Sequence, residues 1–131
     1  MKIAANNGRA VLVVADQVLD IASASGGRFG PDPTDVFERW EEFAAIATDL
    51  HGSATPDDLK PLADATLTIP VPAPRQVFAI GLNYGSHAEE SGMTLPAVPA
   101  TFTKFPASLT GPFDDVELVA ASVDWEVELV A

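Results

Sequence analysis

Apolar and polar positions change rhythm several times along this chain, and each rhythm predicts an element. Ala10-Val11-Leu12-Val13-Val14 is a continuous, β-branched run of the kind a buried strand shows. Ala15-Asp16 reads as a turn and Gln17-Val18-Leu19-Asp20-Ile21 as a second strand, so the two predict a hairpin. Ser23 to Pro33, rich in Ser, Gly and Pro, is expected to be loop. Thr34 or Asp35, with Pro33 just ahead, can cap the next element. Val36, Trp40, Phe43, Ala44 and Ala47 then recur at helical spacing, flanked by Phe37, with Glu38, Arg39, Glu41 and Glu42 on the other side. That is an amphipathic helix of about four turns ending near Leu50-His51-Gly52, its aromatic stripe facing a core. His51 is expected to be an exposed cation at the helix end.

Past this helix the rhythm shortens. Thr55-Pro56-Asp57-Asp58 predicts the start of a short helix, with Pro at its first position. Leu67 to Pro74 carries three prolines and predicts an extended linker between two units. Val77-Phe78-Ala79-Ile80 predicts a buried strand, Gly81 to Gly92 a polar loop or short helix, and Thr101 to Lys104 a further strand. Gly81 beside Asn83-Tyr84 suggests a tight turn, and Asp114-Asp115 another. Finally, Asp124-Trp125-Glu126-Val127-Glu128-Leu129 alternates strictly, which predicts a strand with its acids on one face. An apolar strand that stops at Leu129-Val130-Ala131 without a turn or polar tail suggests the N-terminal part of a longer protein.

Composition narrows the function. The 131 residues suffice for one domain, or for a small domain plus part of another, and an apolar fraction of 47% suits a folded globular protein. Nineteen acidic against seven basic residues give a formal charge of −12. Such a surface repels phosphate backbones and anionic membranes, so neither nucleic acid nor membrane is an expected partner. One local cation or a metal can still draw a small anionic substrate. There is no cysteine, which excludes disulfides and thiolate chemistry. The absence of a bilayer-length apolar run and of a signal-like start fits a cytoplasmic protein.

Three segments can carry chemistry. In a strand, Glu126 and Glu128 would project to one face roughly 7 Å apart. Carboxylates that close repel unless water or a cation relieves them, so the face is either a solvated edge or a site for a hard divalent metal. His87 and Glu90 stand at i, i+3. On a helical turn the acid can orient the imidazole to activate water; the alternative is a surface histidine in an acidic protein. Lys104 lies between apolar residues and either neutralises a substrate carboxylate or forms an ion pair. Neither a Gly-x-Gly-x-x-Gly phosphate loop nor a Gly-x-Ser-x-Gly elbow is present.

Taken in order, Gly81-Leu82-Asn83-Tyr84-x-x-His87-x-x-Glu90, Phe102-x-Lys104 and Asp124-x-Glu126-x-Glu128-Leu129 closely resemble the fumarylacetoacetate hydrolase family. The resemblance covers about residues 75 to 131, the opening segment of that family's catalytic domain; residues 1–70 look like the small N-terminal domain that many bacterial members carry. It implies an α+β protein, with a small N-terminal α/β domain (1–70) and the first, incomplete portion of a mixed, β-rich catalytic domain (75–131). It further implies Mg²⁺ or Mn²⁺ bound by Glu126 and Glu128, with Asp124 in support, and a 2-oxo acid substrate held by its keto oxygen and carboxylate. His87, oriented by Glu90, would activate the water that cleaves a carbon–carbon bond, with Lys104 helping to hold the substrate. The full-length enzyme would be a catabolic, homodimeric hydrolase. Members also decarboxylate, isomerise or hydrate related acids. The family's third metal ligand, an aspartate beyond the paired glutamates, has no counterpart here, so the 131-residue chain alone is expected to be inactive. The remaining alternative is a truncated, non-catalytic fragment that acts only as an interaction domain.

Overall fold

The computed structural model describes residues 1–130. The hairpin expected from the apolar run is present: β2 (Arg9–Val14) pairs antiparallel with β3 (Gln17–Asp20), Val14 opposite Gln17 across the Ala15-Asp16 turn. A strand that sequence pattern left unassigned, β1 (Lys2–Asn6), lies on the other side of β2 with Asn6 opposite Arg9. Its cause is the Asn7-Gly8 pair, whose φ values of 49° and 75° make a two-residue turn matched to the strand twist. β4 (Leu59–Pro61) adds to β3 and β5 (Leu67–Thr68) to β1, giving the order β4-β3-β2-β1-β5. Every pairing is antiparallel, including that of β3 with β4, which are joined through the helices, so this part is α+β rather than a parallel α/β unit.

One layer of helices covers this sheet. Asp20 ends β3 and caps α1 (Ile21–Ala24) by accepting from Ser23 N at 2.8 Å, so Ile21 begins a helix and not a strand end. Asp32, not Thr34 or Asp35, caps α2 (Pro33–Glu38), with Pro33 in its first turn. The expected single helix is two: Arg39, at φ −117° and ψ 37°, breaks it before α3 (Trp40–Ser53). Its guanidinium reaches Asp35, Glu42 and the Arg28 carbonyl and lies 4.3 Å over the Phe29 ring, contacts that fix the break. Val36, Phe43, Ala47 and Leu50 are buried, whereas Trp40 and Ala44 stay exposed. These helix residues pack on Ala10, Leu12, Leu19 and Ile21, with Phe29 driven into the same core from the glycine-rich loop. The short helix expected at Thr55 is a turn in which Asp58 accepts from Thr55 N at 2.8 Å, because the next residues are drawn into β4. The linker is shorter than expected at its start, since Leu67 and Thr68 pair with β1.

A second, two-stranded sheet joins β6 (Val77–Gly81) to β7 (Ala100–Lys104), Val77 opposite Lys104. β6 is not buried: Phe78 and Ile80 are exposed on one face, and its other positions are half-covered. Between the strands sits α4 (Gly85–Glu90), with Ala88 buried. The Asp114-Asp115 turn lies slightly earlier, at Pro112-Phe113, closed by Gly111 N donating to Asp114 Oδ2 at 2.7 Å. The expected acidic strand does not form. Residues 124–130 are irregular, since among the described residues no strand pairs with them and alternation alone supplies no hydrogen bonds. Ala131 lies outside the described residues.

Candidate active site

α4 is built locally. Tyr84 occupies its N-cap, and the Tyr84 carbonyl accepts from Ala88 N at 3.2 Å. At the other end Met93 N donates to Ala88 O at 2.8 Å and Gly92 N to Glu89 O at 3.1 Å, a closed helix terminus with Gly92 at φ 63°. The chain enters the helix through Leu82, at φ 54°, so the left-handed residue of this turn is a leucine and not Gly81. A large side chain in that region is strained, and such strain gathers at functional sites.

His87 and Glu90 share this helix, yet no hydrogen bond joins them among the described residues. The imidazole faces a different carboxylate: His87 Nε2 is 3.8 Å from Glu126 Oε1, an ion pair only when the ring is protonated. Both groups are largely open to solvent. Tyr84, three residues before His87, accepts through its hydroxyl from Leu129 N at 3.3 Å. Asp124 turns back on its own chain, accepting from Trp125 N at 2.9 Å, and Trp125 is 79% exposed. Lys104 stands on β7 with Nζ 6.0 Å from the Phe102 ring centroid, and no acid lies within ion-pair distance of it among the described residues. The structure thus brings His87 and Glu126 together. Glu90 is one helical turn from His87, whereas among the described residues Glu128 and Lys104 form no hydrogen bond or ion pair with His87 or Glu126. Tyr84 is the residue sequence reasoning quoted without giving a role; its i, i+3 spacing from His87 was the available signal.

The carboxylates of Glu126 and Glu128 are donors of the type a hard divalent cation takes. They leave its coordination sphere open, since no group of three His, Cys, Asp or Glu side chains converges among the described residues. Charge elsewhere is strongly organised. The Asp35 carboxyl is held below its usual range by the Gly30 N–H, against the cost of burial and with help from Arg39. At Asp20 burial opposes ionisation, but Arg9 and Ser23 outweigh it and the pKa falls. A cavity of about 440 Å³ opens beside Leu12, Val14, Ala47 and His51, but none of the candidate residues lines it.

The model of the fumarylacetoacetate (FAA) hydrolase C-terminal family matches residues 76–131, the part that holds these groups. The chain belongs to the fumarylacetoacetate hydrolase family. Among solved structures of this kind it is similar to a Mycobacterium smegmatis protein provisionally named HpcE, at 45% identity and a TM-score of 0.76, covering 92% of this chain and 41% of that one. It is also similar to the maleylpyruvate hydrolase of Sphingobium sp. SYK-6, solved with manganese(II) and pyruvate, at 30% identity and a TM-score of 0.63 over 90% of this chain and 42% of that one. The mitochondrial oxaloacetate tautomerase Fahd2a of Rattus norvegicus is 37% identical over 94 residues, 70% of this chain and 29% of that protein. The chain therefore spans less than half the length of these relatives. No described helix is long and apolar enough to cross a membrane.

Proposed function

We propose that this chain carries the opening part of the active site of a metal-dependent hydrolase that cleaves a carbon–carbon bond in an acylpyruvate-like 2-oxo acid. The approach of His87 to Glu126 is the observation that carries the reading, because it sets a base beside a carboxylate of the metal-ligand pair. Glu126 and Glu128 would hold Mg²⁺ or Mn²⁺, which supplies Lewis-acid polarisation of the keto oxygen. The manganese and pyruvate held by the maleylpyruvate hydrolase support that choice of ion and substrate. His87 Nε2 would take a proton from the water that adds to the distal carbonyl. Breaking the adjacent carbon–carbon bond then releases a carboxylic acid and, after protonation of the carbon left behind, a 2-oxo acid. Glu90, one helical turn from His87 and not bonded to it in this structure, would orient the imidazole on ligand binding, and Lys104 would hold the substrate carboxylate. The division into residues 1–70 and 75–131, a homodimeric full-length enzyme and a cytoplasmic location belong to the same proposal; the gap between β5 and β6 supports the first.

The relatives named oxaloacetate tautomerase favour a second reading, in which the same groups move a proton between keto and enol forms without breaking the carbon skeleton. A manganese titration followed by electron paramagnetic resonance tests the shared core. Weak binding to the chain is expected, abolished by Glu126→Gln; equal binding by the variant overturns the ligand assignment. The 131-residue chain is expected to leave an acylpyruvate unchanged, and measurable turnover would overturn its predicted inactivity.

A further inference from the structure

Among the described residues no strand pairs with the acidic segment. Over residues 116–130 the described hydrogen bonds of the backbone number two: Trp125 N to the neighbouring Asp124 side chain, and Leu129 N to Tyr84 Oη at 3.3 Å. The second spans 45 positions of sequence. Together with the 3.8 Å approach of His87 to Glu126 it makes a two-point attachment of this segment to α4.

We propose that Tyr84 is a positioning residue: its phenol oxygen accepts the Leu129 amide and so keeps Glu126 beside His87. Tyr84 and His87 are three residues apart on a helical turn, about 4.5 Å along the axis. Glu126 and Leu129 are also three apart, in irregular chain. The Tyr84 side chain is free for the task because it makes no capping bond to its own helix. Glu128 is the residue immediately before the clamped amide, so both glutamates of the pair lie within three residues of the attachment. The inference deepens the proposed function and shares its site, but the bond itself needs no metal.

Tyr84→Phe removes only the hydroxyl. In the full chain it is expected to speed hydrogen exchange of the Leu129 amide about three- to tenfold, the range of one solvent-competing hydrogen bond. The nuclear Overhauser contact between the His87 ring and the Glu126 side chain should weaken at the same time, with the thermal midpoint unchanged. An unchanged Leu129 exchange rate would overturn the clamp. Faster exchange with an intact His87–Glu126 contact would overturn its positioning role. Both readings are taken without added metal, so a failed manganese titration counts against the proposed function alone.

Discussion

The rings of Phe29 and Phe43 meet edge to face, with centroids 5.6 Å apart and planes at 84°. One belongs to a glycine-rich loop and the other to α3, and both are fully buried, so this contact ties the loop into the core. Phe43→Ala is expected to cost about 3–5 kcal/mol, and Phe29→Ala a similar amount. Urea midpoints measure both. A loss under about 1 kcal/mol for Phe29 would mean that the loop is held by its turns alone.

Acid should loosen the first sheet and its helices. Asp20 and Asp35 both have folded-state pKa values below the usual carboxylate range, so the folded form binds their protons less readily than the unfolded chain. Their stabilisation is complete above the unfolded value, about 3.9, and is lost as pH falls through the lower folded values. Urea midpoints should be flat near neutrality and drop below about pH 4. Asp20→Asn should reduce that drop; an unaltered pH profile would remove Asp20 from the account.

Gly92→Ala tests the end of α4. The added methyl would meet no atom within 4 Å, but at φ 63° it carries the left-handed penalty of about 1–2 kcal/mol. Faster exchange of the Met93 amide, which closes the helix end, is the expected sign. Unchanged protection would show that α4 does not depend on this terminus.

Lys104→Ala separates binding from folding. The side chain is exposed and makes no ion pair among the described residues, so stability should stay within about 0.5 kcal/mol. Pyruvate affinity in the presence of manganese is expected to fall several-fold. A stability loss with unchanged pyruvate binding would make it a structural lysine.

What the sequence disclosed follows from how local each cause is. The hairpin of β2 and β3 was readable because Val11 to Val14 and the adjoining turn contain their own instructions. The β1 strand was not, since Lys2 to Asn6 holds one β-branched residue; the Asn7-Gly8 turn carried the signal instead. The break at Arg39 depends on Asp35, Glu42, Arg28 and Phe29 converging on one guanidinium, which periodicity does not encode. At the candidate site, order along the chain picked out His87 and Glu126, but their juxtaposition is a matter of tertiary structure. The pattern at 124–129 fixed which residues alternate, and only a partner strand could have made that alternation a sheet.

Trp125 precedes Glu126 directly and stands almost wholly in water. Its indole is therefore an optical reporter beside the proposed metal ligand: red-shifted in emission, open to collisional quenchers, and next to the carboxylate where a paramagnetic ion would seat under that proposal. Trp40, half-exposed and packed against Phe43 at 6.1 Å in the helix layer of the first sheet, gives the other indole signal in the same spectrum, away in sequence from the proposed metal ligands.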